Sequence, residues 1–436
     1  MINKRIWFVL ALLAIVLTAC NLQAIPSGEQ LVENSATPLV TSTATSVATP
    51  TQILLSGTIS VWHSWQDEQV SVLLQQIAAF QEENPGVQFD VTYIPSIDLR
   101  ATYEQAALNG QAPSLLIAPA EWGAALYDQG FVADVSSLVS EQLISSLNPA
   151  AFEASRYSGA ITSLPLHIFG NVIFRNKKII PTAPTTFDEL ISFAQVANQG
   201  ETIGALFDRG FSFSGGHLEG VGGQLMFPDG SPAFNDEKGL AWLQLLQDLG
   251  NAGPTEYDGE NDIQMFLAGQ LGLMIESSRR QGDLAEAIGA EYLTIDPWPI
   301  YQDGTLSGFV QSENVYLNPR ALEEDQMISW RFAQSLFTPE AQSGLAKAGL
   351  IPALLPSYIA SAGSEGQIDN VLLAQTMQAL AGGATFPARP EMAFYIPYLD
   401  IALQSVLNGE ASPADALQMA ADGIQAELAL LPTPAP

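Results

Sequence analysis

Two patterns of apolar positions alternate along the chain from Gly57 onward, one with a period of two and one with a period near 3.6. Every second residue is apolar in Thr58–Trp62 and in Val87–Tyr93, which predicts two β-strands. Between them, apolar residues recur at helical spacing across Val70–Phe80, and Asn84–Gly86 then ends the helix because its proline cannot continue one. Strand, helix and strand in this order predict a βαβ unit with parallel strands and a right-handed crossover.

The same alternation continues to the end of the chain and predicts a protein of the α/β class. A Thr-x-x-Glu capping box begins one helix, and glycines follow several others, as is typical of helix C-termini. We predict further helices at Leu99–Leu108, Trp122–Gln129, Thr186–Val196, Leu240–Leu249, Ile263–Leu267, Asp325–Leu336 and Asp415–Leu428, one that begins at Thr338-Pro339, and a helical tail from Ile351. We predict further strands at Leu115–Ile117, Phe131–Leu138, Ile203–Phe207, Leu271–Ile275 and Phe309–Leu317.

The stretch Leu164–Lys177 is too apolar and too rich in β-branched and aromatic residues for a surface loop, and we interpret it as a strand that crosses between two lobes. Pro165 and Gly170 indicate that this strand runs at a sheet edge or bends midway. His167 to Asn171 would then lie at the cleft between the lobes, where small ligands bind. With a second crossing at Phe309–Leu317 and a third near Ile351, we predict one lobe from residues 57–167 plus 312–349 and another from 168–311 plus 350–432.

The N-terminus has the features of an export signal peptide. Lys4 and Arg5 precede an apolar run, Ile6–Leu17, that is too short to span a membrane. Leu17-Thr18-Ala19-Cys20 resembles the lipobox of bacterial lipoproteins, which implies removal of residues 1–19 and acylation of Cys20; a plain signal peptide followed by an incidental cysteine is the alternative. Residues 20–56 are rich in Ser, Thr, Pro and Ala, and we predict a disordered tether. The protein would then be exported and anchored by lipid to the outer face of the cytoplasmic membrane.

Charge and composition exclude several functions. The chain has 46 acidic and 15 basic residues, a formal net charge of −31, so it would repel nucleic acid. One cysteine and three widely separated histidines predict neither an intramolecular disulfide nor a metal site, and we expect no cofactor.

Polar and aromatic side chains follow several predicted strands at their carboxyl ends, where ligands bind in open α/β sheets. His63 and Trp65 follow the first strand, Glu121 and Trp122 the third, and the pair Arg279-Arg280 the strand Leu271–Ile275. The tryptophans could instead pack over helix ends, and the arginines could pair with some of the many carboxylates. Phe211 and Phe213 open a glycine-dense stretch that lacks a dinucleotide-binding motif, and both are candidate cleft aromatics.

The order of these pieces resembles the extracellular solute-binding proteins of carbohydrate ABC importers, in particular the maltose and malto-oligosaccharide group. The resemblance rests on motifs spread from Gly57 to Leu431: Ile-Ser-Val-Trp-His-Ser-Trp65, Phe80-x-x-x-Asn-Pro-Gly, Gly110-Gln-Ala-Pro, Leu164-Pro-Leu, Arg175-Asn-Lys, Pro-Thr-Thr-Phe-Asp-Glu-Leu190, Phe266-x-x-Gly-x-x-Gly-Leu-Met-Ile, Gly308-Phe-Val, Phe337-Thr-Pro-Glu-Ala-Gln and Pro387-x-x-Pro-Glu-Met392.

The resemblance implies a two-lobed, periplasmic-binding-protein-like fold that closes on a sugar and delivers it to a membrane permease. It also implies that the protein acts as a monomer. Together with the crossover strands, it implies ligand-binding residues at Trp65, Glu121, Trp122, His167, Phe169, Phe213, Arg279, Phe309 and Tyr395. The chain departs from the family pattern at Phe169, where maltose binders often have a carboxylate, at Ser114, and at Arg279, where an aromatic platform is usual.

Two other classes of protein remain as alternatives. A binding lipoprotein of the same fold could take a non-sugar or anionic solute, or could act as a sensory receptor without transport. An exported hydrolase would need paired carboxylates or a nucleophile with its base at strand ends, and the sequence shows no such motif. We therefore predict a binding protein and not an enzyme.

Overall fold

The computed structural model describes residues 55–257, 259–360 and 370–431. The predicted signal peptide, Cys20 and all but the last two residues of the predicted tether lie outside this range. No helix in the described part of the chain combines the length and the apolar character needed to cross a membrane.

Strands and helices alternate along the described residues, as the apolar pattern predicts. The strands are β1 (Ser56–His63), β2 (Gly86–Tyr93), β3 (Leu115–Pro119), β4 (Arg156–Tyr157), β5 (Ala160–Ile161), β6 (Leu164–Asn176), β7 (Ile203–Ala205), β8 (Phe207–Asp208), β9 (Thr255–Glu256), β10 (Leu271–Ser277), β11 (Leu293–Asp296), β12 (Ile300–Tyr301), β13 (Gly304–Thr305), β14 (Phe309–Leu317), β15 (Ile351–Pro352) and β16 (Ala384–Thr385). The helices are α1 (Asp67–Glu83), α2 (Ser96–Leu108), α3 (Gly123–Asp128), α4 (Glu141–Ser146), α5 (Pro149–Glu153), α6 (Phe187–Ala197), α7 (Phe211–Ser214), α8 (Gly216–Gly220), α9 (Glu237–Leu249), α10 (Asn261–Leu267), α11 (Gln281–Ile288), α12 (Glu323–Ser335), α13 (Pro339–Lys347), α14 (Pro356–Ile359), α15 (Val371–Ala381), α16 (Met392–Leu407) and α17 (Pro413–Leu428). Two 3-10 helices, Ala120–Trp122 and Ser278–Arg280, follow β3 and β10.

The main sheet has the strand order β2-β1-β3-β14-β6-β10-β7. β1 pairs in parallel with β2 along its whole length, which confirms the predicted βαβ unit. β14 and β6 run antiparallel to each other in the middle of the sheet, and both predicted crossing strands are therefore neighbours.

β6 is a central strand, so of the two alternatives predicted for it, a sheet edge or a bend midway, the sheet edge is excluded. Its first half pairs with β14 and β15, and its second half pairs with β10 and β11. Pro165 is tolerated because the ladder with β14 shifts register between Glu313 and Asn314, next to the proline. Leu166 lies at this irregularity, and its carbonyl accepts hydrogen bonds from Gln342 Nε2 and from the amide of Ala353.

Three other predicted elements need correction. Phe131–Leu138 is not a strand: Phe131, Val132 and Val135 are buried, but Asp134 Oδ1 accepts hydrogen bonds from the amides of Ser136 and Ile161, which replace a strand ladder. Ile203–Phe207 is split, because β7 pairs with β10 whereas β8 pairs with β9 in a separate sheet. Ile351 begins the short strand β15 and not a helix.

Buried apolar residues form two large clusters. One includes residues of β1, β3, α1 and α12, and the other includes residues of α6, α9, α16 and α17. Arg175 of β6 and Asp296 of β11 form a buried bidentate ion pair, with Nε–Oδ2 at 2.6 Å and Nη2–Oδ1 at 3.0 Å. This pair fixes β6 to β11 by charge-assisted hydrogen bonds.

The glycine-dense stretch forms the short helices α7 and α8 and packs closely on the start of β14. A Cβ on Gly216 would lie 2.8 Å from the Phe309 backbone nitrogen, and one on Gly220 would lie 2.2 Å from the Thr305 carbonyl oxygen. From the β6 side, a Cβ on Gly170 would lie 2.2 Å from the Phe309 carbonyl oxygen. Glycine is needed at these positions because backbone approaches backbone.

Candidate functional site

The floor of the candidate site is formed by β6 and β14. His167 lies opposite Glu313, and Phe169 lies opposite Gln311. Because directly opposed residues of an antiparallel pair project from the same face, these four side chains form one surface. The intervening Ile168 and Ser312 are buried on the other face.

Glu313 is the carboxylate at which the side chains of this surface meet. Its Oε2 accepts a hydrogen bond from the Trp65 indole N–H, and His167 Nε2 lies 3.3 Å from the same oxygen. Arg279 Nη2 lies 3.6 Å from Glu313 Oε1, which is an ion-pair distance rather than a hydrogen bond. Burial alone would raise the pKa of Glu313, but its hydrogen bond with His167 and the charges around it outweigh burial and lower that pKa to about 2. Glu313 is therefore ionised at neutral pH.

Arg279 lies across the ring of Phe169. Its guanidinium carbon is 3.5 Å from the ring centroid, a face-on cation–π contact. The adjacent Ser278 is fully buried, and its hydroxyl accepts a hydrogen bond of 3.2 Å from the amide of Gly170. This bond ties the 3-10 helix that carries Arg279 to the strand that carries Phe169.

Glu121 reaches the same surface from the 3-10 helix after β3. Gln311 Nε2 donates a hydrogen bond of 2.8 Å to Glu121 Oε1. Burial raises the pKa of Glu121 above its ordinary value, and the hydrogen bond from Gln311 and the charge of Arg279 offset only part of this rise. Glu121 and Glu313 thus lie near one another with pKa values displaced in opposite directions.

A cavity of about 630 Å³, here called the cleft cavity, opens over these groups. It is bounded by residues that follow β1 and β10, by β6 and β14, and by the turn between α13 and β15. Its lining is Ser64, Trp65, Gln66, Asp67, Glu68, Gln69, Ser96, His167, Ile168, Phe169, Ser278, Arg279, Gln281, Glu313, Ala348, Gly349, Leu350 and Ile351. Its formally charged lining residues other than His167 are three acids, Asp67, Glu68 and Glu313, and one base, Arg279.

His63 supports this site without lining the cavity. Its ring is buried, and its Nδ1 accepts a hydrogen bond of 3.1 Å from the amide of Trp65. Burial lowers the pKa of His63, which favours the neutral imidazole that this acceptor role requires. His63 therefore shapes the turn that positions Trp65.

A second cavity, of about 540 Å³, contains Phe309 in its lining. Its walls come from the β4–β5 hairpin, the residues that follow α8, and the connection from β16 to α16. Tyr157, Phe227 and Arg389 are among them, and the Arg389 guanidinium lies 5.7 Å from the Tyr157 ring.

Of the nine residues predicted to bind ligand, the structure brings five together. Trp65, His167, Phe169 and Arg279 line the cleft cavity, and Glu121 contacts its floor through Gln311.

The other four lie elsewhere. Phe309 lines the second cavity, whereas Trp122 and Phe213 are partly buried and line neither cavity. Trp122 packs beside α2, with Arg100 5.8 Å from its ring, which agrees with the packing alternative for this tryptophan. Tyr395 is fully buried, and its hydroxyl donates to the Gly230 carbonyl, so it does not approach the cleft cavity.

Sequence reasoning missed Glu313 and Gln311. The available signal was the polar run Gln311-Ser312-Glu313 inside a strand whose other residues are largely apolar.

Within the described residues, no group of three or more histidine, cysteine, aspartate or glutamate side chains is arranged to hold a metal ion.

Comparison with known proteins agrees with this architecture. Residues 75–365 match the family model of bacterial extracellular solute-binding proteins. A maltotriose-binding protein of Pyrococcus abyssi is 27% identical over 135 residues, which is 31% of this chain and 29% of that protein's own length.

Solved structures share the two-lobed fold at low identity. The cyclic alpha-maltosyl-1,6-maltose binding protein of Arthrobacter globiformis has a TM-score of 0.74 at 20% identity, over 86% of this chain and 99% of that one. An extracellular solute-binding protein of Staphylococcus aureus in complex with maltose has a TM-score of 0.75 at 18% identity, over 86% of this chain and 98% of that one. Because the family model spans well over half of the sequence, the chain belongs to the bacterial extracellular solute-binding proteins, a family of binding proteins rather than enzymes.

Proposed function

We propose that this protein is the substrate-binding component of an ABC importer and that it captures a neutral sugar or oligosaccharide in the cleft cavity. The observation that carries the proposal is the convergence of Trp65, His167, Phe169, Arg279 and Glu313 on one cavity of about 630 Å³. A sugar ring has an apolar face and a fringe of hydroxyls. The stacked pair of Arg279 and Phe169 offers a flat surface for the first, and the charged groups offer hydrogen bonds for the second.

The charges of the cavity favour a neutral ligand over an anionic one. Arg279 is already paired with Glu313, and Asp67 and Glu68 add further negative charge to the lining. An anion would have to approach these carboxylates with one compensated arginine to receive it, whereas a hydroxyl can donate to a carboxylate and accept from an arginine.

The similar proteins support a glucose-based ligand. Their names or complexes include maltotriose, maltose and cyclic alpha-maltosyl-1,6-maltose. We propose one lobe from residues 57–167 plus 312–349 and another from 168–311 plus 350–432, which close on the sugar by rotation about the crossing strands. Export, acylation of Cys20, attachment to the membrane and delivery to a permease by a monomer complete the proposal.

A sugar panel tests the function directly. The chain from Leu54 onward, which forms one compact unit, would be titrated by calorimetry with maltose, maltotriose, maltotetraose and neutral trisaccharides of other linkage. We expect at least one sugar to bind and Glu313→Gln to weaken that binding at least tenfold, or about 1.4 kcal/mol. Glu83→Gln, at an exposed position of α1, is the matched control and should bind as the wild type does.

The panel also decides between the proposal and its alternatives. If no neutral sugar binds but an acidic saccharide or a carboxylate does, the ligand is an anionic solute and Arg279 is its counter-ion. Small-angle scattering with saturating sugar should show a smaller radius of gyration, and an unchanged radius would contradict closure. A sugar that binds the protein but is not imported by the cells that produce it would indicate a sensory receptor.

A further inference from the structure

The cleft cavity has few flat surfaces that a ligand can touch. Of the aromatic side chains in its lining, Trp65 and His167 are only 2% and 3% exposed. Phe169 is partly exposed, but the guanidinium of Arg279 covers its ring at a distance of 3.5 Å. The flat group that remains open to the cavity is the guanidinium itself, since the side chain of Arg279 is 56% exposed.

The guanidinium is held in a fixed plane. Phe169 lies behind it, and Glu313 lies at one edge, 3.6 Å from Nη2. The backbone under Arg279 is fixed as well, because the buried Ser278 accepts a hydrogen bond from Gly170 on the strand that carries Phe169. An arginine held in this way has lost much of its rotamer freedom before any ligand arrives, which lowers the entropy that binding must overcome.

We propose that Arg279, backed by Phe169, is the stacking platform of the site: a sugar ring lies on the outer face of the guanidinium, and the free N–H groups at its edge bind ring hydroxyls. Glu313 and Phe169 are positioning residues that hold the plane. The inference rests on the proposed function and names the part of the site that selects the ligand. A guanidinium platform combines a flat surface with up to five fixed donors, so it should favour rings whose hydroxyls lie at the edge of the stacked face.

The test separates the plane of Arg279 from its charge. Arg279→Lys keeps a positive charge beside Glu313 but removes the flat surface, and we expect it to lower the affinity for the best neutral trisaccharide at least tenfold. Arg280→Lys makes the same change at the adjacent residue, which does not line the cleft cavity, and should alter affinity less than about twofold. Both variants keep the core intact, which equal melting temperatures would verify.

A double-mutant cycle tests the role of Phe169. If Phe169 acts by backing Arg279, then Phe169→Leu and Arg279→Lys should each weaken binding. The double variant should then bind only slightly more weakly than whichever single variant has the larger loss of affinity. Fully additive effects would show that the two residues act separately and would overturn the composite platform.

Other outcomes also decide the matter. Wild-type affinity in Arg279→Lys would overturn the inference and leave the proposed function standing. Tighter binding by Arg279→Ala would also overturn it, because the arginine would then cover the ring that the sugar needs. If the wild type binds none of the neutral sugars, the proposed function fails and the inference fails with it.

Discussion

Replacing Glu313 by glutamine should destabilise the protein at neutral pH and do so less in acid. The ordinary pKa of a glutamate is 4.5, and in the folded protein it is lowered to about 2. A difference of this size corresponds to about 3 kcal/mol, because one pKa unit is about 1.4 kcal/mol. The carboxylate is largely buried, at 18% exposed, so most of this free energy should survive solvent screening. Glutamine keeps the shape and an acceptor for the Trp65 indole, which limits the change to the charge.

The pH dependence gives the sign of the effect. A carboxyl group with a lowered folded-state pKa stabilises the protein above its unfolded-state pKa, and this contribution is lost as the pH falls through the folded-state value. The difference in unfolding free energy between wild type and Glu313→Gln should therefore be largest from pH 5 to 7. By pH 3 it should fall to less than about half of that value.

Urea unfolding followed by tryptophan fluorescence at several pH values measures this difference. Glu83→Gln, at an exposed position of α1, is the control and should change stability little at any pH. A difference between wild type and Glu313→Gln that stayed constant from pH 7 to pH 3 would refute the reasoning, because an uncharged contact would then be the source.

Three further predictions follow from the packing and from the sequence. Gly170→Ala should lower the free energy of unfolding, measured in urea, by about 2–4 kcal/mol, because its Cβ would lie 2.2 Å from the Phe309 carbonyl oxygen. Gly344→Ala is the control: a Cβ there would meet no atom within 4 Å, so this change should be neutral or stabilising. Tyr395→Phe should lower stability by about 1–2 kcal/mol and leave sugar affinity unchanged, because the buried hydroxyl donates to a carbonyl away from the cleft cavity. A loss of affinity measured by calorimetry would show that Tyr395 does contribute to sugar binding. Cys20→Ser should move the full-length protein from the membrane fraction to the soluble fraction of a lipoprotein-processing host; unchanged fractionation on a blot would rule out the lipid anchor.

The spacing of apolar residues predicted the elements whose formation depends on residues close in sequence. The helix α1 and the strands β1 and β2 follow from apolar periodicity and a Pro-Gly stop, and the structure confirms them with small shifts at the ends. The prediction of a strand at Phe131–Leu138 was wrong because the buried apolar residues of this segment pack from a loop. Asp134 accepts hydrogen bonds there that the pattern of apolar residues does not reveal.

The pairing of strands was harder to predict than the strands. Pro165 suggested an edge, but a register shift in a central ladder accommodates it, and this depends on β14, far along the chain. Glu313 was missed for the same reason: its role depends on which face of β14 meets His167, and these residues are 146 positions apart. Trp65 and Arg279, which the sequence places at strand ends, do lie at one cavity, because the carboxyl ends of strands converge whatever the exact pairing.

The partners of β6 also bear on how the protein folds. Within the described residues, each strand that pairs with β6 comes after it in the chain: the first begins at Leu271 and the last is Ile351–Pro352. A nascent chain therefore carries thirteen unpaired and mostly apolar residues until most of the molecule has been made. Contacts so distant in sequence slow folding, and we expect refolding from urea to take about a second or longer; complete refolding within milliseconds would contradict this. Slow folding would keep the chain unfolded long enough to be threaded across a membrane, so the strand that joins the two halves would also set the time at which the exported protein becomes able to bind.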